Sequence, residues 1–255
     1  CDFPPIRLEI AKTAAQKTLF AGNRTLKITT NCRPGNADFE QYILQEYSIF
    51  RMFQTLTPWS YRTRLAHITY TDSAGKAKAI ESWAFFIEDE GDLSQRRASK
   101  RFATQGAYFD DLEPQQFGYM QLFAYMVGNT DWSVGGLHNV TLLRDSTGIV
   151  YPVPFDFDWS GAVDARYAFP DASLNLRSVR ERLWRGDCRK ADAMTPIIER
   201  FLVKRPAMDS VTVGIDAMKP ATKEKMHKYF AEFWPMLDNP KRFVADNSRI
   251  CKVGN

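Results

Sequence analysis

Residues 128–139 read "GNTDWSVGGLHN" and residues 154–158 read "PFDFD". Between them "NVTLLRD", the turn "STG" and "IVYPVPFDF" carry the composition of a β-hairpin. A hairpin returns the chain to where it started. Asp156 is therefore expected beside the loop that carries Asp131 and Asn139. Asp158 follows two residues later. Aspartate is disfavoured in strands, and a carboxylate buried there without a partner is costly. The cluster offers hard oxygen donors, two or three carboxylates and an amide. This is the donor set that Mg²⁺ or Mn²⁺ prefers. With no Cys and only His138 as a nitrogen donor, it does not suit zinc.

Working outward, "EPQQFGYMQLFAYMV" (113–127) leads into the loop. Its broad apolar face predicts a long buried helix, with Pro114 near its start. Residues 3–12 and 18–31 read as strands around a turn near Ala21-Gly22-Asn23. Asp38 is positioned to cap a helix over Phe39–Leu56, whose Ile43, Tyr47, Phe50 and Phe53 recur at helical spacing. Pro58 stops that helix. Two strands, "YRTRLAHITYTD" and "KAIESWAFFIED", follow around Ser73-Ala74-Gly75. Beyond residue 162 the chain reads as a loop to about Leu174. Three helical segments come next: "LRSVRERLW", "ADAMTPIIERFLVKR" and "TKEKMHKYFAEFWPML". The shift from strand-rich to helix-rich composition near 88–113 marks the boundary between two expected units, 1–90 and 91–255.

Bulk composition is that of a globular protein: 255 residues, 44% hydrophobic, 25% charged, net charge +4. The mild basicity suits an anionic small ligand and gives no reason to expect nucleic acid. No apolar run approaches the roughly eighteen residues of a membrane span. The four cysteines are Cys1, Cys32, Cys188 and Cys251. A hairpin of the first two strands brings Cys1 opposite Cys32, and Cys188 can reach Cys251. Two disulfides place the protein in a periplasmic or secreted compartment; four free thiols leave it in the cytoplasm.

The order of parts resembles the protein-kinase-like superfamily. There a helix leads into a catalytic loop with an Asp base and an Asn metal ligand, and a hairpin then delivers a metal-binding Asp. "GNTDWSVGGLHN" is similar to the corresponding loop of HipA-type kinases, and "VPFDFDWSG" to the "PWDLD" stretch of CotH-type spore-coat kinases. The resemblance covers roughly residues 3–160. It implies an α+β, two-lobed fold. The N-lobe is a small antiparallel sheet with one helix, and the C-lobe is mainly helical. It implies Asp131 as the catalytic base and Asn139, Asp156 and Asp158 as ligands of Mg or Mn. Lys27 is implied to neutralise the phosphates of ATP or another nucleotide, oriented by Glu46. The substrate implied is a hydroxyl of a protein or small molecule. Two departures stand out. The Asp-to-Asn interval is eight residues, longer than usual, so the loop must bulge around Gly135-Gly136. No Gly-x-Gly-x-x-Gly covers the phosphates.

Two other functions fit the same residues. A kinase-like binding module without catalysis accommodates the bulged loop. A carboxylate-pair glycoside hydrolase could use Asp131 and Asp156, with Trp132 and Trp159 stacking sugars. The basic run "RSVRERLWRGDCRK" is read as a solvated helix face or as an anion-binding surface through Arg180, Arg182 and Arg185.

Overall fold

The computed structural model describes residues 2–23, 25–247 and 251. Strand β1 (Ile6–Glu9), the short helix α1 (Lys12–Ala15) and β2 (Thr25–Thr29) come first, then the helix α2 (Ala37–Leu56). Strands β3 (Thr63–Tyr70) and β4 (Ile80–Glu88) complete an antiparallel sheet of order β1-β2-β4-β3. Helix α3 (Glu90–Arg96) and β5 (Ser99–Arg101) lead to α4 (Pro114–Val127). Strands β6 (Val140–Asp145) and β7 (Val150–Pro154) join β5 in a second antiparallel sheet, of order β5-β6-β7. Helices α5 (Ala191–Val213), α6 (Pro220–Ala231) and α7 (Pro240–Asn247) close the chain. The protein is thus α+β, with two antiparallel sheets and seven α-helices among the described residues.

Helix α2 is the axis of the molecule. Its apolar stripe meets the first sheet through Phe50 and Phe85, whose ring centroids are 5.6 Å apart, and it meets α5 on another side. It is therefore buried nearly all round, polar residues included. Gln45 donates to the carbonyls of Ala162 and Val163 (3.1 Å each), and Gln41 accepts from the Lys219 amide (2.8 Å). A buried amide that finds partners avoids a desolvation penalty of roughly 1–3 kcal/mol. These bonds also fix α2 against the segment that follows β7. One continuous apolar core runs from α2 through α4 and α5 to α7. A second core packs Phe109, Phe117, Met120 and Trp132 against β6.

Four local expectations are corrected. Asn36, not Asp38, caps α2, accepting from the Asp38 and Phe39 amides; the Asp38 carboxylate pairs with Arg166. The first two strands are shorter than their composition implied, with α1 between them. Helix α7 was not anticipated. The segment "LRSVRERLW" is not helical. Arg180 and Arg182 both lie over the Tyr229 ring, 4.9 and 3.8 Å from its centroid. On a helix those positions are about 200° apart, whereas here a turn, closed by the Glu181 amide on the Ser178 carbonyl (3.1 Å), lets both reach one ring. Contacts with Tyr229 override the local helical preference.

Cys188 and Cys251 form a disulfide. The expected Cys1–Cys32 pairing falls outside the described residues, because Cys1 is not among them. No helix among the described residues is long and apolar enough to cross a membrane.

Candidate functional site

Helix α4 ends at Gly128, which takes a left-handed φ of 68°. A Cβ there would stand 2.1 Å from the Tyr229 hydroxyl, so only glycine fits. Asn129 then turns the chain, its Oδ1 accepting from the Asp131 amide (2.9 Å). Ser133 and His138 exchange two backbone hydrogen bonds of 2.9 Å. This closure folds out Val134–Leu137 and absorbs the long Asp-to-Asn interval. Asn139 is returned to Asp131, and its Nδ2 donates to both the Asp131 carbonyl (2.8 Å) and Oδ2 (3.0 Å). His138 Nε2 lies 2.8 Å from Asp131 Oδ1. Arg185 braces the loop from below, donating to the carbonyls of Thr130 and Trp132 on either side of Asp131.

The hairpin brings the second element in. Val140 pairs with Pro154, so Asn139 stands opposite Phe155, whose amide donates to the Asn139 carbonyl (3.0 Å). Asn139 and Asp156 both hold left-handed backbone, at φ 53° and 62°, a region that Asn and Asp tolerate better than most residues. Phe157 is fully buried between Phe50 (4.9 Å) and Phe123 (5.9 Å). Burial of such a ring contributes about 2–3 kcal/mol. It anchors the two aspartates that flank it, and both of them line the cavity beside the core.

The third carboxylate comes from α2. Glu46 is 4% exposed and accepts from the Phe157 amide (3.3 Å). Burial, then the charges of Asp158 and Asp156, hold its pKa well above the ordinary range. Asp158 is pushed up to about 7 by burial and by Asp156; a hydrogen bond from Tyr167 acts the other way. Among the described residues, no basic side chain forms an ion pair with Glu46, Asp156 or Asp158. The carboxylates crowd one another, and a bound cation would relieve that crowding. The donors are hard oxygens and fit Mg²⁺ or Mn²⁺ in kind. As placed, no group of three or more His, Cys, Asp or Glu among the described residues is gathered tightly enough to hold one ion.

Lys27 is exposed on β2, with Nζ 5.7 Å from the centroid of Phe155. It forms no ion pair with Glu46 among the described residues, so the expected Lys–Glu pairing is not made. Two cavities flank this point. One of about 700 Å³ is lined by Phe39, Tyr42, Glu46, Asp158, Trp159 and Tyr167. The other, about 400 Å³, lies between Glu90 and the β6 residues Val140 and Leu142. Arg7, Lys27 and Phe155 line both.

The three arginines are turned inward. Arg180 faces Asp164 (3.4 Å). Arg182 donates to the carbonyls of Met126 (3.2 Å) and Tyr229 (2.6 Å). Arg185 holds the Asp131 loop. Trp159 lines the larger cavity, whereas Trp132 is core. His138, which the sequence marks as the one nitrogen donor of the loop, contacts the Asp131 carboxylate. Tyr167 escapes sequence reasoning, because nothing local marks a tyrosine in an irregular segment as a partner of Asp158. Comparison with family models and with curated proteins returns no match, so the site stands on its own geometry.

Proposed function

We propose that the chain is a metal-dependent phosphotransferase of the atypical kinase-like type. On this reading it is two-lobed, and it moves a phosphoryl group from ATP or another nucleoside triphosphate to a hydroxyl. The observation that carries the reading is the convergence of Asp131, Asn139 and Asp156 through the β6–β7 hairpin, with Asp156 lining the larger of two cavities that share Phe155. The smaller cavity takes the base. The phosphates run past Arg7 and Lys27 toward Asp156. The acceptor oxygen attacks the γ-phosphorus and gives its proton to the Asp131 carboxylate. The bond to the bridging oxygen breaks, and its electron pair leaves with the nucleoside diphosphate. His138 and Asn139 orient Asp131 for that proton, and Arg185 fixes the backbone on both sides of it. Asn139 Oδ1, Asp156 and Asp158 would hold Mg²⁺ or Mn²⁺. A bound ion supplies charge neutralisation to the phosphate oxygens. The Cys188–Cys251 bridge supports an oxidising, extracytoplasmic compartment.

The test is a thermal-shift titration coupled to measurement of nucleoside diphosphate release. A nucleotide with Mg²⁺ at about 100 times its Kd is expected to stabilise the fold by about 2.7 kcal/mol. The shift should vanish with chelator and in Asp156→Ala. No shift with any nucleotide overturns the reading. The raised pKa of Asp158 favours one alternative, a glycoside hydrolase with a carboxylic acid as proton donor. Chelator-insensitive cleavage of an aryl glycoside would establish it.

A further inference from the structure

We propose that the larger cavity is the acceptor subsite, and that the acceptor is a small cyclic polyol such as a sugar or inositol ring. The acceptor role rests on the phosphotransferase reading; the binding of a ring polyol does not. The volume of about 700 Å³ lies within the range of small-molecule pockets. The chamber is lined by residues of β1, β2, the start of α2 and the stretch 155–167. Its aromatic groups form a set. Phe39, Tyr42 and Tyr167 lie 5.4–6.0 Å apart, and Trp159, 38% exposed, stands at the mouth.

The carboxylates of Glu46 and Asp158 and the Tyr167 hydroxyl line the same chamber, all hydrogen-bonding groups. Aromatic faces suit the C–H face of a ring, and carboxylates accept from its hydroxyls. On the proposed reading the nucleoside takes the smaller cavity, which leaves this chamber to the acceptor. Asn139 bonds both the Asp131 carboxylate and the Phe155 amide, which brings the proton acceptor to the edge of the chamber that Phe155 and Asp156 line.

The test is saturation-transfer NMR on the full chain, without nucleotide or metal. The probes are methyl β-glucoside, N-acetylglucosamine and myo-inositol, compared with a serine- and threonine-containing hexapeptide. At least one polyol should bind through its ring protons, and Trp159→Ala should weaken it roughly three- to tenfold. Tyr167→Phe, which keeps the ring and removes the hydroxyl, serves as a second variant and should also weaken binding. No polyol binding at tens of millimolar overturns the inference, as does binding of the peptide in its place. Binding unaffected by both variants overturns it too. Polyol binding without phosphate transfer under Mg²⁺ and ATP would support the site and count against the transferase. Transfer to the peptide with no polyol binding would do the reverse.

Discussion

The Asp131 loop and the acidic floor are built from the same residue types and are in opposite electrostatic states. In the loop, the Asp131 carboxylate has two side-chain partners, and its backbone is braced by Arg185. On the floor, Glu46, Asp156 and Asp158 face one another with no basic partner among the described residues, and two of them are pushed toward the protonated form. A satisfied carboxylate is held for one geometry. A crowded one stores repulsion that a ligand can release. On the proposed phosphotransferase reading, the difference suits the loop to proton transfer and the floor to cation binding.

Removing the loop's centre tests this most severely. Asp131→Ala is expected to lower phosphoryl transfer by about 10²–10⁴-fold. Metal-dependent nucleotide binding should persist, because the floor is untouched; loss of both in a calorimetric titration would erase the distinction. The floor carries the next effect. In the metal-free protein the Asp158 carboxyl ionises near 3.8 when unfolded and near 7 when folded. Below the lower value both states are protonated. Between the two values the folded state keeps its proton and the unfolded state loses it, so stability falls as pH rises from about 4 to about 7. Each tenfold drop in proton activity across that window costs ~1.4 kcal/mol, and the loss reaches up to about 4 kcal/mol. Asp158→Asn should flatten this slope in chemical denaturation, and Mg²⁺ should reduce it in the wild type. A slope unchanged by the variant would show that the crowding is absent. The smallest effect belongs to His138, whose side chain is 58% exposed. His138→Ala should change stability by about 1 kcal/mol or less. It should lower turnover more than nucleotide affinity, which steady-state kinetics can separate.

Local pattern made several parts of this site readable. The residue types of "PFDFD" mark its two aspartates, because a carboxylate is costly inside an aromatic core; both line the cavity while Phe157 is buried. Hairpin chemistry around "STG" brings Phe155 to Asn139, so the approach of Asp156 to the loop was foreseeable. The helix before the loop follows from its apolar face and Pro114. Illegible were the contacts between residues distant in the chain. Glu46 and Phe157 are 111 positions apart, and Tyr167 reaches Asp158 from an irregular segment.

Periodicity records which way a side chain faces. It does not record what it will meet. That is why residues 37–56 announced a helix, while the burial of Gln41, Gln45 and Glu46 on it became visible only once the sheet, α5 and the chain after β7 had closed around it. It is also why the arginines at 180 and 182 promised a charged helix and instead share one tyrosine ring. The element types and the donor chemistry came from composition and spacing. The crowding of the floor, the bracing of the loop and the shape of the two cavities were decided by tertiary packing, because charge interactions and desolvation depend on distance in space.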